Sequence, residues 1–195
     1  ARMLGLVYSV LIRFNVNEGG KYFISNYSSN SGQVFKEYWG SGLGPGEAIG
    51  ARGIGVNDNI LWVQDITLKK ILTIEEKKVL SNDTIVSFNE YPIKEDYYMI
   101  DFKDKLHYFG VGLESSAYKI QEVDLVSGKI INEIGTFEGK PDDLEFSAVK
   151  TAYQCYIHVK PTGDKIVLAY RFTDAIEIFD LKTQRSILIR GPERF

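Results

Sequence analysis

Short runs of alternating apolar and polar residues, rich in Tyr, Phe, Ile and Val, recur between clusters of Gly, Asn, Asp and Ser. Successive side chains of a strand point to opposite faces, and turn residues end the run, so the pattern predicts strands joined by tight turns. The three-to-four-residue spacing of an amphipathic helix is scarce. Only residues 73–80 and 141–149 read as helix, and both stretches are short. The class expected is all-β.

The clearest unit spans residues 38–74, where a glycine-dense loop leads into an Asn-Asp-Asn turn, an alternating strand, a polar turn and a second strand. Segments 59–74, 118–134 and 175–189 share one layout. A strand ends in an acid (Asp65, Asp124, Asp180), a Ser or Thr follows (Thr67, Ser127, Thr183), and five residues after the acid comes a base (Lys70, Lys129, Arg185). Segment 21–38 keeps the strands but has Ser28 and Gln33 in place of acid and base. An Asp at a strand end accepts hydrogen bonds from the N–H groups of the turn after it. The base then opens the return strand opposite the acid. These residues are therefore assigned to turns and given no catalytic role.

Gly/Pro segments follow three of the hairpins: Gly44-Pro45-Gly46-Glu47, Gly139-Lys140-Pro141-Asp142 and Gly191-Pro192-Glu193. Such segments suit a crossover from the outer edge of one sheet to the inner strand of the next. The units are 37, 59 and 56 residues apart, counted from Ser28 through Asp65 and Asp124 to Asp180. Stranded repeats of about 40–50 residues point to a β-propeller. The unequal spacing leaves a sandwich or another barrel as the alternative. The expectation is a β-propeller of antiparallel blades with about four blade-like units, residues 1–195 forming one propeller domain or a propeller fragment. An unclosed array exposes apolar faces and strand edges. A longer ring is expected to supply the closure, in preference to a four-bladed ring or a second copy.

Composition removes several classes. Twenty-three Lys and Arg against 26 Asp and Glu give a net charge of -3, which argues against nucleic acid as a partner. No apolar run reaches the ~20 residues of a spanning helix, so no transmembrane segment is expected in this chain. Residues 3–12 are apolar but lack a cleavage signature and read as a buried first strand. Cys155 is the one cysteine. It has no partner for an internal bridge, and its apolar surroundings suit a small buried hydrophobe.

Candidate chemistry is thin. The stretch Gly40–Gly46 lacks the Lys-Ser/Thr pair of a phosphate loop, and Pro45 removes a donor. His107 and His158 each stand alone, whereas zinc sites need three or four converging ligands. Asn57-Asp58-Asn59 is too short for a calcium loop and reads as a hairpin turn. Ser115 and Ser116 have no base to activate them. No catalytic residue, metal site or cofactor is assigned. For binding, Trp39, Glu47 and Arg52 flank the glycine loop and form the weak candidate set, an aromatic ring with one charge of each sign. Tyr97, Tyr98, Tyr153 and Tyr156 are read as blade packing.

One motif goes further. Gly42, Gly44, Pro45, Gly46 and Glu47, followed by Leu61-Trp62-Val63 and Asp65, resemble a family of bacterial envelope lipoproteins with TolB-like six-bladed propellers. The resemblance implies a periplasmic or outer-membrane setting, with any lipid anchor upstream of this chain. It also implies a binding role with a protein or glycan ligand, and it brings no catalytic residues. The function expected is a non-enzymatic binding or scaffold propeller. A propeller hydrolase or lyase with a central metal, and an intracellular protein-interaction propeller, are the alternatives.

Overall fold

The computed structural model describes residues 2–7, 10–14, 22–28, 30–81, 88–112, 116–137 and 146–192. Among the described residues, sixteen strands form four sheets of four, each a meander in which strands adjacent in sequence are adjacent in the sheet. The first holds β1 (Arg2–Val7), β2 (Val10–Phe14), β3 (Tyr22–Ser28) and β4 (Val34–Gly40). The second holds β5 (Ala51–Asn57), β6 (Ile60–Asp65), β7 (Lys70–Glu75) and β8 (Asn89–Pro92). The third holds β9 (Met99–Phe102), β10 (His107–Val111), β11 (Tyr118–Asp124) and β12 (Ile130–Thr136). The fourth holds β13 (Cys155–Val159), β14 (Lys165–Tyr170), β15 (Ala175–Asp180) and β16 (Arg185–Arg190). The described residues also hold two short helices in connections, α1 (Glu76–Leu80) and α2 (Phe146–Ala152). The chain divides into two compact units, one ending at Tyr91 and the other beginning at Pro92.

The all-β reading holds, with three local corrections. The apolar segment 3–12 is not one strand but parts of two, β1 and β2, paired as a hairpin; its side chains lie outside the described residues. The first helix is shorter than 73–80, because Thr73 and Ile74 stay in β7, paired with Trp62 and Leu61. The second runs from Phe146 to Ala152, and residues 141–145 of the expected span lie outside the described residues. So do Ser115, the Gly139–Asp142 crossover and Glu193.

A larger correction concerns the phase of the repeat. Ser28, Asp124 and Asp180 each end the third strand of their sheet, but Asp65 ends the second strand of its own. Two neighbouring strands and a turn look alike in sequence whichever hairpin of a meander they form. With Asp65 set aside, 96 positions separate Ser28 from Asp124, two sheets apart, and 56 separate Asp124 from Asp180. The irregular spacing thus came from one hairpin taken out of phase.

A backbone bond marks the true repeat. The residue after the third strand donates its N–H to the carbonyl of the residue before the second strand. This occurs as Glu76 to Asn59 at 2.8 Å, Leu125 to Leu106 at 2.7 Å and Leu181 to Asp164 at 2.9 Å. The Asn57-Asp58-Asn59 segment is the expected hairpin turn. Asp58 and Asn59 both adopt positive φ, 47° and 61°, as a two-residue turn matched to strand twist demands.

In the second unit the core lies between the third and fourth sheets. Met99, Phe109, Val111 and Ile120 pack with Cys155, Ile157, Ile166, Leu168 and Phe179, each large side chain contributing about 1.5–3 kcal/mol on burial. Cys155 is buried here, and burial first, then Glu177, pushes its thiol up to about 12. It is the inert hydrophobe its surroundings suggest. Gly110 on β10 leaves room for the Tyr97 ring, since a Cβ there would lie 2.4 Å from it. The other face of the fourth sheet is aliphatic and open: Ile176 is 43% exposed, Ile187 67% and Ile189 52%.

Candidate functional site

The sites worth weighing lie where the turn after a sheet's second strand meets the loop leading into its first strand. In the second and fourth sheets the two are clasped by equivalent backbone bonds. Ile66 N–H donates to Gly50 at 3.0 Å, and Arg171 N–H donates to Gln154 at 2.9 Å.

Asp65 reinforces the first clasp. Its carboxylate accepts from Thr67 and Leu68 in its own turn, both at 2.9 Å, and from Ile49 at 2.7 Å and Gly50 at 3.2 Å in the lead-in loop. The carboxylate is wholly buried, so every one of these donors sees a charge screened from water. Sequence reasoning foresaw the bonds within the turn and missed those to the loop.

Of the three residues singled out in the sequence, Glu47 lies on this loop, whereas Trp39 lies at the end of β4 before it and Arg52 at the start of β5 after it. Trp39 is buried, 6% exposed, at a φ of 51°. Glu47 turns back on its own loop and accepts the Gly44 N–H at 2.7 Å. Arg52 lies half-buried on β5. Lys70 stands opposite Asp65 across the hairpin as expected, but its ammonium pairs with Glu90 at 3.2 Å.

The fourth sheet builds the clasp differently. The turn here displays Arg171 and Phe172, both exposed, Phe172 by 56%. One terminal nitrogen of Arg171, Nη1, donates to Gln154 Oε1 and to Tyr98 Oη, each at 2.7 Å. The Tyr98 ring lies 5.3 Å from the guanidinium carbon and the Phe172 ring 5.1 Å, within the range of cation–π attraction. Among the described residues no carboxylate pairs with Arg171, and Nε and Nη2 have no acceptor. Asp174, three residues on, is packed against Gly191 and accepts its N–H through the backbone at 2.8 Å. A cavity of about 520 Å³ opens from the same turn, lined by Tyr153, Tyr170, Asp174, Leu188 and Arg190 among others.

Charges between the third and fourth sheets are spent on each other. A cleft of about 430 Å³ holds Lys103, Lys119, Glu122 and Glu177. Lys103 pairs with Glu122 at 2.6 Å and Lys119 with Glu177 at 2.9 Å. The Lys119 and Glu177 side chains are 9% and 6% exposed. Tyr170 donates its hydroxyl to Glu177; burial first, then that bond, pushes its phenol well above the usual range. Asp101 on β9 takes the N–H of Val159 on β13 at 2.8 Å, and burial raises its carboxyl despite that bond. His158 stands 4.0 Å from Asp101, and His107 is 2.9 Å from Asp104. Among the described residues, no three His, Cys, Asp or Glu side chains gather as metal ligands would.

The opposite rim of the second unit holds the turn acids. Asp124 accepts the Ser127 N–H at 2.7 Å, and Asp180 accepts Lys182 and Thr183 at 3.0 and 2.9 Å. The Thr183 N–H first, then Lys165, holds the Asp180 carboxyl down at about 2. Every acid there serves its turn.

Comparison with known proteins bears on the fold. A family model described as TolB-like 6-blade propeller-like matches residues 5–195. Among solved structures, a candidate exported protein of Bacteroides fragilis NCTC 9343 is similar at 13% identity and a TM-score of 0.54, over 96% of this chain and 70% of its own. A DUF4221-family member from Bacteroides vulgatus ATCC 8482 is similar at 10% identity and 0.58, over 98% and 57%. The β-propeller domain of Cps50 (Swd1) from Myceliophteria thermophila is similar at 10% and 0.52, over 97% and 59%. The chain thus spans well under the full length of each. No curated protein matches it. At these identities the likeness is one of fold.

Proposed function

The chain belongs to the TolB-like 6-blade propeller-like family, and from that premise we propose that it is a non-enzymatic binding propeller of the bacterial cell envelope, taking a protein or glycan ligand at the rim that carries Arg171. In this reading residues 1–195 are one propeller domain, four of the six blades, and a further blade packs on the open aliphatic face of the fourth sheet. The setting is periplasmic or outer-membrane associated, with a lipid anchor upstream of the chain. Family membership and the likeness to a candidate exported protein support that setting.

The observation that carries the binding role is the state of Arg171. A guanidinium held by two neutral acceptors beside two rings has no opposing carboxylate among the described residues and keeps three of its five N–H donors. Exposed loop residues fixed by a rigid scaffold are where binding surfaces concentrate. Trp39, Glu47 and Arg52, which flank or lie on the lead-in loop of the first unit, are weaker candidates for the same role. No observation favours the hydrolase, lyase or intracellular readings.

A photo-crosslinking residue placed at Phe172, compared with one at Thr183 on the opposite rim, tests this in the native host. Adducts confined to position 172 are expected. Equal adducts at both positions, or none at 172, would contradict the reading.

A further inference from the structure

We propose that Arg171 and Phe172 form the contact point for an acidic sugar, whose carboxylate docks on the guanidinium edge and whose ring lies on the phenyl face. This rests on the reading that the Arg171 rim is the binding surface, and it names the ligand class.

The arginine's geometry selects the anion. Nη1 spends its two N–H bonds on Tyr98 Oη and Gln154 Oε1. What remains is the side made by Nε–H and Nη2–H, whose parallel donors match the two oxygens of a carboxylate. Both acceptors on Nη1 are neutral, so nothing in the clasp cancels the charge. The guanidinium is also held before any ligand arrives. The rings of Tyr98 and Phe172 lie 5.3 and 5.1 Å from its carbon, and Tyr98 is itself braced edge-on by Tyr156, with centroids 6.5 Å apart. A side chain fixed in this way has little rotamer freedom left to lose on binding.

Phe172 selects the rest of the ligand. Its ring sits beside a charge on a polar turn and is 56% exposed, so part of its apolar surface is open to a partner. A pyranose offers such a partner a flat C–H face together with polar groups at its edge. A uronic acid adds a carboxylate to that edge, beside the ring. An acidic peptide would bring the carboxylate without the flat face. The cavity that opens from the turn, about 520 Å³ with Tyr153 and Tyr170 in its wall, falls within the usual range of ligand sites, about 300–1,000 Å³. It has room for the next sugar of a chain.

The test is calorimetric titration of the full chain with oligogalacturonate, with a neutral galacto-oligosaccharide of equal length, with a glutamate peptide and with inorganic phosphate. The uronate is expected to bind at least about 10-fold more tightly than the other three, as a charge-assisted fork requires. Arg171→Lys should weaken it about 10-fold, because a point charge cannot make the fork, and Arg171→Gln should reduce it to the neutral level. Phe172→Ala should weaken uronate and neutral sugar alike. Arg185→Gln on the opposite rim should change nothing, and unfolding midpoints of all variants should match wild type.

Equal affinity for neutral sugar, or an Arg171→Gln variant that binds uronate normally, overturns the proposal. A glutamate peptide binding as tightly as uronate also overturns it, leaving only a charge contact, and displacement by equimolar phosphate marks an unspecific anion site. If crosslinks form at position 172 but uronates fail, the rim stands and the sugar falls. If neither is seen, both fall.

Discussion

The second and fourth sheets make the same clasp, and they finish it in opposite ways. In both, the residue after the second strand donates its N–H to the residue before the first strand, at 3.0 Å and 2.9 Å. Asp65 then closes the clasp in the second sheet, buried, with four backbone N–H groups on one carboxylate. Arg171 leaves it open in the fourth, exposed, with two neutral acceptors and a free edge. A closed clasp can only stabilise, because its donors and acceptors are used up. An open one adds little stability and retains the capacity to bind. On the proposed reading, that difference is what sets the binding rim apart.

Four substitutions and one acid titration sharpen or break that contrast. The largest effect is expected away from both clasps. Lys119→Met strands Glu177 in the buried cleft and should cost about 3–5 kcal/mol in urea unfolding. A loss below about 1 kcal/mol would mean that the pair between the sheets does not carry the second unit. Asp65→Ala comes next, at about 3 kcal/mol, since several N–H groups lose a charged acceptor at once. Asp65→Asn, which keeps one acceptor oxygen, should lose about half as much. Arg171→Ala should change stability by less than about 0.5 kcal/mol, as is usual for an exposed side chain outside the core. If Arg171→Ala proved as damaging as Asp65→Ala, the two clasps would be the same device and the contrast would fail.

The smallest effect concerns acid stability. Asp180 has its carboxyl held down at about 2 in the folded chain, against about 3.9 when unfolded. A depressed carboxylate stabilises the fold above its unfolded value, and that contribution is lost as pH falls from about 4 to about 2. Asp124, lowered chiefly by the Ser127 hydroxyl and N–H, acts with the same sign. Melting temperature followed from pH 5 to pH 2 should therefore fall less steeply in Asp180→Asn than in wild type. An unchanged slope would remove Asp180 from the account.

Local pattern made much of this legible in the sequence, and distance hid the rest. Alternation gave the strands, and the turn acids announced Asp65, Asp124 and Asp180, because an Asp that caps its own turn finds its donors two and three residues away. The phase of Asp65 was not legible. Which hairpin of a meander a strand pair forms depends on partners elsewhere in the chain. Arg171 was hidden for the same reason, its partners Tyr98 and Gln154 lying 73 and 17 positions away. The glycine loop drew attention to the right kind of place, a lead-in loop, but in the second sheet. The one signal in the fourth was Arg171-Phe172 itself, a base and a large apolar ring where a turn acid would suit. Lys119 and Glu177, 58 positions apart, left no mark at all.

The open edge of Arg171 is directly observable. The Nε–H resonance of each arginine can be followed by NMR while oligogalacturonate is added to the full chain. A selective, saturable shift of the Arg171 signal is expected, with Arg52 and Arg185 unmoved. An Arg171 signal that stays in place while the sugar binds, or arginine signals that all drift together, would contradict the account.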